Sequence, residues 1–229
     1  MNNKNLIILE RVRKILLFII MLFGFFFIPN LIYSLVSITG IFKDKTLMGV
    51  ISTFIYTLCL VIIFRKMYIK DLKDYKKNFS KYLKISLKYW GLGLLIMGVS
   101  NLIINLIVFK GDIASNEVLN RQMIFASPIL GYISAVLLAP ITEELTFRYA
   151  ISKIFNNKYV YAITSGLIFG LLHAVTAYKS PLDLLYTIPY GALGFAFALI
   201  YEKTDNIIAN TTMHMLHNFM CLTLMFTIM

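Results

Sequence analysis

An all-α, polytopic integral membrane helical bundle of about seven transmembrane helices is the fold class that the sequence predicts, and three observations predict it. The 229-residue chain is 59% hydrophobic, with a mean hydropathy of +0.77. Its apolar residues gather into seven stretches, each long enough to cross a hydrocarbon core of about 30 Å, which takes roughly 20 helical residues. No Gly/Ser linker, low-complexity tract or internal repeat separates one part from another, so one integral domain is the simplest organisation.

The first stretch lies near 15–36, behind Arg11, Arg13 and Lys14. Its apolar run continues well past the length of a signal-peptide core and no small-residue cleavage site follows, so a retained span is expected. The next stretches fall near 46–64 and 89–109. Residues 1–122 are thus expected to form an N-terminal cytoplasmic segment and three transmembrane helices. Spans near 123–147, 159–178, 184–201 and 206–228 make residues 123–229 a core of four transmembrane helices.

A net charge of +11 would suggest nucleic acid in a soluble protein, but here the basic residues sit mainly between spans. No nucleic acid is expected; the lipid bilayer is the surrounding partner. The segment Arg65 to Lys84 carries eight Lys/Arg against Asp71 and Asp74, which the positive-inside rule reads as a cytoplasmic loop. The N-terminus and the 148–158 connection are also basic, whereas the connections near 38–45, 110–122 and 179–183 are short or nearly balanced. A cytoplasmic N-terminus and an external C-terminus follow, although the 202–205 loop, with Glu202, Lys203 and Asp205, adds no support. Cys59 and Cys221 read as small buried apolar residues. The Lys-, Asn- and Ile-rich composition points to a low-GC bacterium, hence to a bacterial cytoplasmic membrane.

The first three spans and the sixth contain no Asp, Glu, Lys, Arg or His. Ionisable groups concentrate instead at Glu143, Glu144 and Arg148 in span four, His173 in span five, and His214 and His217, with Asn218, in span seven. A charge at membrane depth costs at least a few kcal/mol unless it is paired or faces a wet cavity. Three such places on three helices suggest one shared cavity.

Helical geometry separates the two glutamates. At about 100° per residue, Glu144 and Arg148 lie about 40° apart and one turn along, the spacing of an ion pair, whereas Glu143 is about 140° round from Arg148. Glu144 with Arg148 is expected to fix the helix end, leaving Glu143 free to face the cavity and take up a proton as a general base does. His214, His217 and Asn218 fall within about a 100° arc, one polar stripe able to donate to an oxygen that gains negative charge. Phe169 precedes His173 by one turn as an aromatic wall, and Gly166 and Gly170 let a neighbouring helix approach. Each place alone has a structural reading. A lone His can be an interhelical hydrogen-bonding group, the Glu144–Arg148 pair a staple, Asn101 and Asn105 helix glue, and Gly191, Gly194 and Ala198 packing faces. The coincidence of three polar places shifts the balance to chemistry.

The order "EELTFR" (Glu143 to Arg148), "FGLLH" (Phe169 to His173) and "HMLHN" (His214 to Asn218) resembles the CPBP family of CAAX-processing and bacteriocin-processing intramembrane proteases, related to the type II CAAX prenyl endopeptidase. The resemblance covers roughly residues 123–225. It implies peptide-bond hydrolysis by a glutamate-activated water, with Glu143 as base, His173 holding the water, His214 and Asn218 stabilising the oxyanion, and Glu144 and Arg148 organising the site. Phe169 and His217 would touch substrate. A carboxylate with two imidazoles could also hold Zn²⁺ through Glu143, His173 and His214, yet there is no HExxH pair and a water activated by Glu and His needs no metal. No cofactor is expected to be required. His217 is an additional imidazole, and Tyr149 stands where a small residue is common in the family.

Counted from the inner ends of the spans, Glu143 and His214 lie roughly 12 Å deep and His173 about 22 Å, so either span five begins outside the bilayer, entering it near Ser165, or the span boundaries shift by several residues. The expected partner is a membrane-associated peptide or protein substrate, such as a signalling peptide, a bacteriocin precursor or a protein tail. The rival expectations are a non-catalytic bacteriocin-immunity or scaffold protein on the same fold, and a proton-coupled transporter. Against the transporter stand the small size and acids confined to one helix.

Overall fold

The computed structural model describes residues 3–109, 115–176 and 178–227. Parts of the 110–122 connection and the last residue of the seventh stretch lie outside them. The described residues form helices α1 (Asn3–Ile38), α2 (Lys45–Ile63), α3 (Arg65–Ile104), α4 (Ser115–Ala126), α5 (Pro128–Ala150), α6 (Lys158–Val175), α7 (Thr187–Thr204) and α8 (Ile207–Thr227), with no strand among them. Local chemistry sets the ends. Asp44 Oδ1 accepts the N–H groups of Thr46 and Leu47 at the start of α2, and Asn157 Oδ1 accepts those of Tyr159 and Val160 at the start of α6, each satisfying donors that a first turn leaves free. At the end of α7, Asp205 takes a left-handed conformation with φ of 43°, and the chain turns straight into α8.

The chain is a multi-pass membrane protein, and among the described residues six helical segments are long and apolar enough to cross a membrane. The seventh expected span, α8, has 21 residues, but Asn210, His214, His217 and Asn218 lower its hydropathy below that of the others. Span four is also divided differently from the sequence reading. Ser127, at φ −150° and ψ 78°, ends α4, and Pro128 opens α5, because the residue before a proline is pushed out of the helical region. α5 itself widens into π turns over Ile133–Leu138 and Glu144–Ala150.

The basic segment expected as a loop is helical. α3 runs 40 residues from Arg65, with one non-helical residue inside it, Asn78, at φ −110° and ψ 19°. The reason lies in its inward residues: Asp71 and Tyr82 are buried, and Tyr68 and Tyr75 are half-buried, following the helical period. The N-terminal segment is helical too, continuous with the first span in α1.

Many large apolar side chains face outward, among them Ile20, Phe23, Leu31, Leu95 and Leu106, as a lipid-facing surface requires. Cys59 and Cys221 face outward as well. They were expected inside, but a small apolar side chain meets no penalty in hydrocarbon. The main core cluster joins Met21 of α1 and Tyr56 and Leu60 of α2 to Leu145, Phe147, Ala150, Tyr161, Phe169 and Ile207. The N-terminal helices therefore pack on the four-helix core.

α6 and α7 approach most closely. A Cβ on Gly166 would stand 2.8 Å from the carbonyl oxygen of Gly191, and one on Gly170 would stand 2.6 Å from the nitrogen of Gly191. Small residues thus bring the two backbones into contact. Ser165 adds a buried tie by donating to the Phe147 carbonyl at 2.7 Å, fixing α6 against the π turn that carries Glu144 and Arg148.

Candidate active site

Glu144 is wholly buried. Its carboxylate accepts from His214 Nδ1 at 2.7 Å and from the amide of Asn210, and Arg148 Nε lies 3.4 Å away. The ion pair with Arg148 is the one that the i, i+4 spacing implies. The guanidinium, also wholly buried, lies over the rings of Phe169 at 4.4 Å and Phe197 at 5.5 Å, where aromatic faces attract it. Glu144 thus gathers α5 and α8 around one carboxylate.

Glu143 is 13% exposed, and its Oε2 lies 3.6 Å from His214 Nε2. It points into the same site, as the angular separation from Arg148 implies. It is not without an ionisable neighbour, however, because His214 stands between the two glutamates. A carboxylate can only accept, so the Nδ1 of His214 carries the proton donated to Glu144. When the ring is also protonated at Nε2, its second N–H faces Glu143 and the space beside it.

His173 is half-buried at the site edge. Its Nδ1 lies 2.9 Å from the Phe169 carbonyl; a carbonyl only accepts, so Nδ1 carries the hydrogen and, in the neutral ring, Nε2 keeps a lone pair. The Phe169 ring gathers both imidazoles, with centroids 4.2 Å from His173 and 6.1 Å from His214. Glu143 in turn lies 3.6 Å from His214. The three groups therefore share one level. Glu143 lies seven residues from the end of α5 and His173 fifteen from the start of α6, so α6 begins about 12 Å beyond the end of α5, or is tilted to the same effect.

The stripe on α8 does not stay together. His214 enters the site, stacked 4.6 Å from the Phe197 ring. His217 turns to α3, where Trp90 Nε1 donates to its Nδ1 at 3.3 Å, and Cys221 Sγ lies 3.6 Å from its Nε2. Asn218 donates to the Ala135 carbonyl at 2.7 Å and ties α8 to α5. An arc of about 100° is wide enough for its members to meet three different neighbours. The sequence reading passed over Asn210, Phe197 and Tyr190, whose ring lies 5.3 Å from His173. Asn210 had a signal: it precedes His214 by one turn, about 40° round the helix.

Among the described residues, no group of three or more His, Cys, Asp or Glu is arranged to hold a metal ion. Glu143, His173 and His214, the set a zinc ion would use, do not have that arrangement, and no step below passes through a metal.

Residues 125–220 match the family model described as type II CAAX prenyl endopeptidase Rce1-like, a stretch that holds Glu143, Glu144, Arg148, Phe169, His173, His214 and Asn218. The chain is 28% identical over 166 residues to UPF0177 protein YxdF of Lactococcus lactis subsp. lactis (strain IL1403), covering 69% of this chain and 86% of that protein. It is 25% identical over 214 residues to the protein named "Putative membrane peptidase YdiL" of Bacillus subtilis (strain 168), covering 89% of this chain and 84% of that protein. No solved structure matches.

Proposed function

From the match of residues 125–220 to the Rce1-like family model and the likeness to the protein named "Putative membrane peptidase YdiL", we propose that the chain is a CPBP-family membrane protease, an intramembrane endopeptidase that hydrolyses a peptide bond in a membrane-associated peptide or protein tail, using a water activated by Glu143 and His173. The observation that carries this reading is the 3.6 Å approach of Glu143 to His214, with His173 against the same Phe169 ring as His214 and at membrane depth.

The chemistry follows from the donors and acceptors. A water between Glu143 and His173 donates one hydrogen to the carboxylate and the other to His173 Nε2. As its oxygen attacks the peptide carbonyl carbon, Glu143 takes the proton, which it then passes to the leaving nitrogen. The carbonyl oxygen becomes an oxyanion, to which the Nε2–H of the His214 imidazolium donates. Glu144 holds that ring in place and supplies the opposite charge, and Asn210 and Arg148 hold Glu144. Asn218 sets the distance between α8 and α5, so it acts by positioning. Phe169 forms the wall against which substrate lies. A cytoplasmic N-terminus, a bacterial cell membrane and access from the cytoplasmic side complete the reading, supported by the basic ends of α1 and α3.

The test compares the peptides of cells carrying the wild-type chain with those of cells carrying Glu143→Ala. A set of cleavage products that disappears with the substitution supports hydrolysis and identifies the substrate. Identical peptide sets, or immunity and partner binding that survive Glu143→Ala unchanged, would move the function to a non-catalytic role. Full activity of the purified protein in 1,10-phenanthroline supports the metal-free route; loss that zinc restores would overturn it.

A further inference from the structure

The opening turns of α3 divide into three sectors. At about 100° per residue, Tyr68, Asp71, Asp74 and Tyr75 fall between about 180° and 300° when Arg65 is set at zero. This sector faces the protein: Asp71 is buried and the other three are half-buried. Ile69 and Leu72 point outward near 40° and 340°, and they are 54% and 42% exposed, with the exposed cations Arg65 and Lys76 between them near 0° and 20°. Lys66, Lys70, Lys73 and Lys77, all exposed, occupy about 80° to 140°, an unbroken basic strip. Exposed apolar side chains on an outward face that is otherwise cationic are the pattern of a helix lying in the membrane interface, Ile69 and Leu72 toward the acyl chains and the cations among headgroups.

The packing agrees with such a placement. Asp71 meets Ile207, and Trp90 meets His217. Nineteen residues of α3, about 28 Å of rise, therefore accompany only ten residues of α8, about 15 Å. The excess is taken sideways, and Asn78 breaks the helical geometry between the two contacts. The first part of α3 runs across the end of the bundle before the remainder climbs along α7 and α8.

That first part is also fastened to α8. Asp71 Oδ2 accepts the Ile207 N–H at 3.0 Å, and Asn206 donates to the Asp71 carbonyl at 2.8 Å and to Asp74 Oδ2 at 3.0 Å. Ile207 opens the helix that carries Asn210 and His214. We propose that the basic strip of α3 binds the anionic headgroups of the leaflet it faces, and that this contact steadies the start of α8 through Asp71 and Asn206. The strip is a lipid sensor joined to the helix of the site. It rests on the membrane placement of the chain and not on the hydrolase reading.

The test uses the full chain in a neutral detergent, titrated with dioctanoyl phosphatidylglycerol or dioctanoyl phosphatidylcholine. Each lysine near an anionic surface contributes about fivefold, so at low salt the anionic phosphatidylglycerol should bind at least tenfold more tightly than the zwitterionic phosphatidylcholine. Replacing Lys66, Lys70, Lys73 and Lys77 together by Gln should abolish that preference, and replacing all four by Arg should keep it. No preference in the wild type, or a preference that persists in the Gln variant, overturns the proposal. A glutamate-rich peptide that binds the strip more tightly than the lipid and displaces it would overturn it in favour of a peptide partner. For the link to α8, amide exchange at 207–210 should slow severalfold on adding phosphatidylglycerol to the wild type, and should not respond in Asp71→Ala or in Asn206→Ala. Equal slowing in both variants overturns the link. Neither measurement reads peptide cleavage, so its failure is distinct from failure of the hydrolase.

Discussion

Replacing Glu144 by Gln keeps the volume of the side chain and removes its charge. The structure says what that costs. His214 Nδ1 at 2.7 Å and the Asn210 amide both donate to the carboxylate, and hydrogen bonds to a charged group contribute about 1.5–3 kcal/mol each. The wholly buried guanidinium of Arg148 would lose its counter-ion, and breaking a buried ion pair by removing one partner costs about 3–5 kcal/mol. These overlap, so a total loss of about 3–5 kcal/mol is expected. The chain has one tryptophan, Trp90, packed on His217 of α8, so its fluorescence during reversible unfolding in mixed micelles reads the α3–α8 contact directly. Glu144→Gln combined with Arg148→Met removes both charges and should recover at least half of the loss, since aromatic faces already line the guanidinium and would pack a methionine. A loss below about 1 kcal/mol for the single variant, or a double variant weakened by the sum of both single effects, would refute this account of the buried pair.

Glu143→Gln should leave the unfolding free energy within about 0.5 kcal/mol of wild type, yet lower cleavage of a membrane-tethered peptide at least about 100-fold, the contribution of a general base; a rate within a few-fold of wild type would remove Glu143 from that role. Asn210→Ala should destabilise by about 1.5–3 kcal/mol through its lost bond to Glu144, measured by the same Trp90 unfolding. Asn218→Ala should cost about 1 kcal/mol by freeing the Ala135 carbonyl, and should slow peptide cleavage less than His214→Ala does; equal losses of activity would return Asn218 to direct contact with the oxyanion. Gly170→Val should force α6 from α7 and lower stability by about 1–3 kcal/mol, whereas Gly98→Ala, where a Cβ would meet nothing within 4 Å, should unfold like wild type.

Much of this architecture was legible in the sequence because its signals are local. Hydropathy locates helices wherever the lipid-facing side is apolar, and the angular offset of Glu143 from Glu144 follows from helical rise alone. The structure reports both glutamates at the site and the Glu144–Arg148 pair that the spacing implied. What escaped depended on neighbours. The start of α3 read as a loop because its lysines outweigh its apolar residues, while the inward period of Tyr68, Asp71, Tyr75 and Tyr82 is partly polar and was masked. Asn210 escaped because a carboxamide in a span resembles helix glue until the buried carboxylate facing it is known. Cys59 and Cys221 were expected inside because a small apolar residue carries no mark of whether it meets protein or lipid. The break at Ser127 was available in the Pro128 dipeptide and was overridden by the continuous hydropathy around it.

The glycine contacts between α6 and α7 bear on how a peptide could arrive. Backbones that already touch leave no seam wide enough for an extended chain, so the pair acts as a closed wall behind His173. A peptide substrate of the proposed hydrolase would have to enter elsewhere than between α6 and α7, and variants sought for altered peptide selectivity are best placed away from that seam.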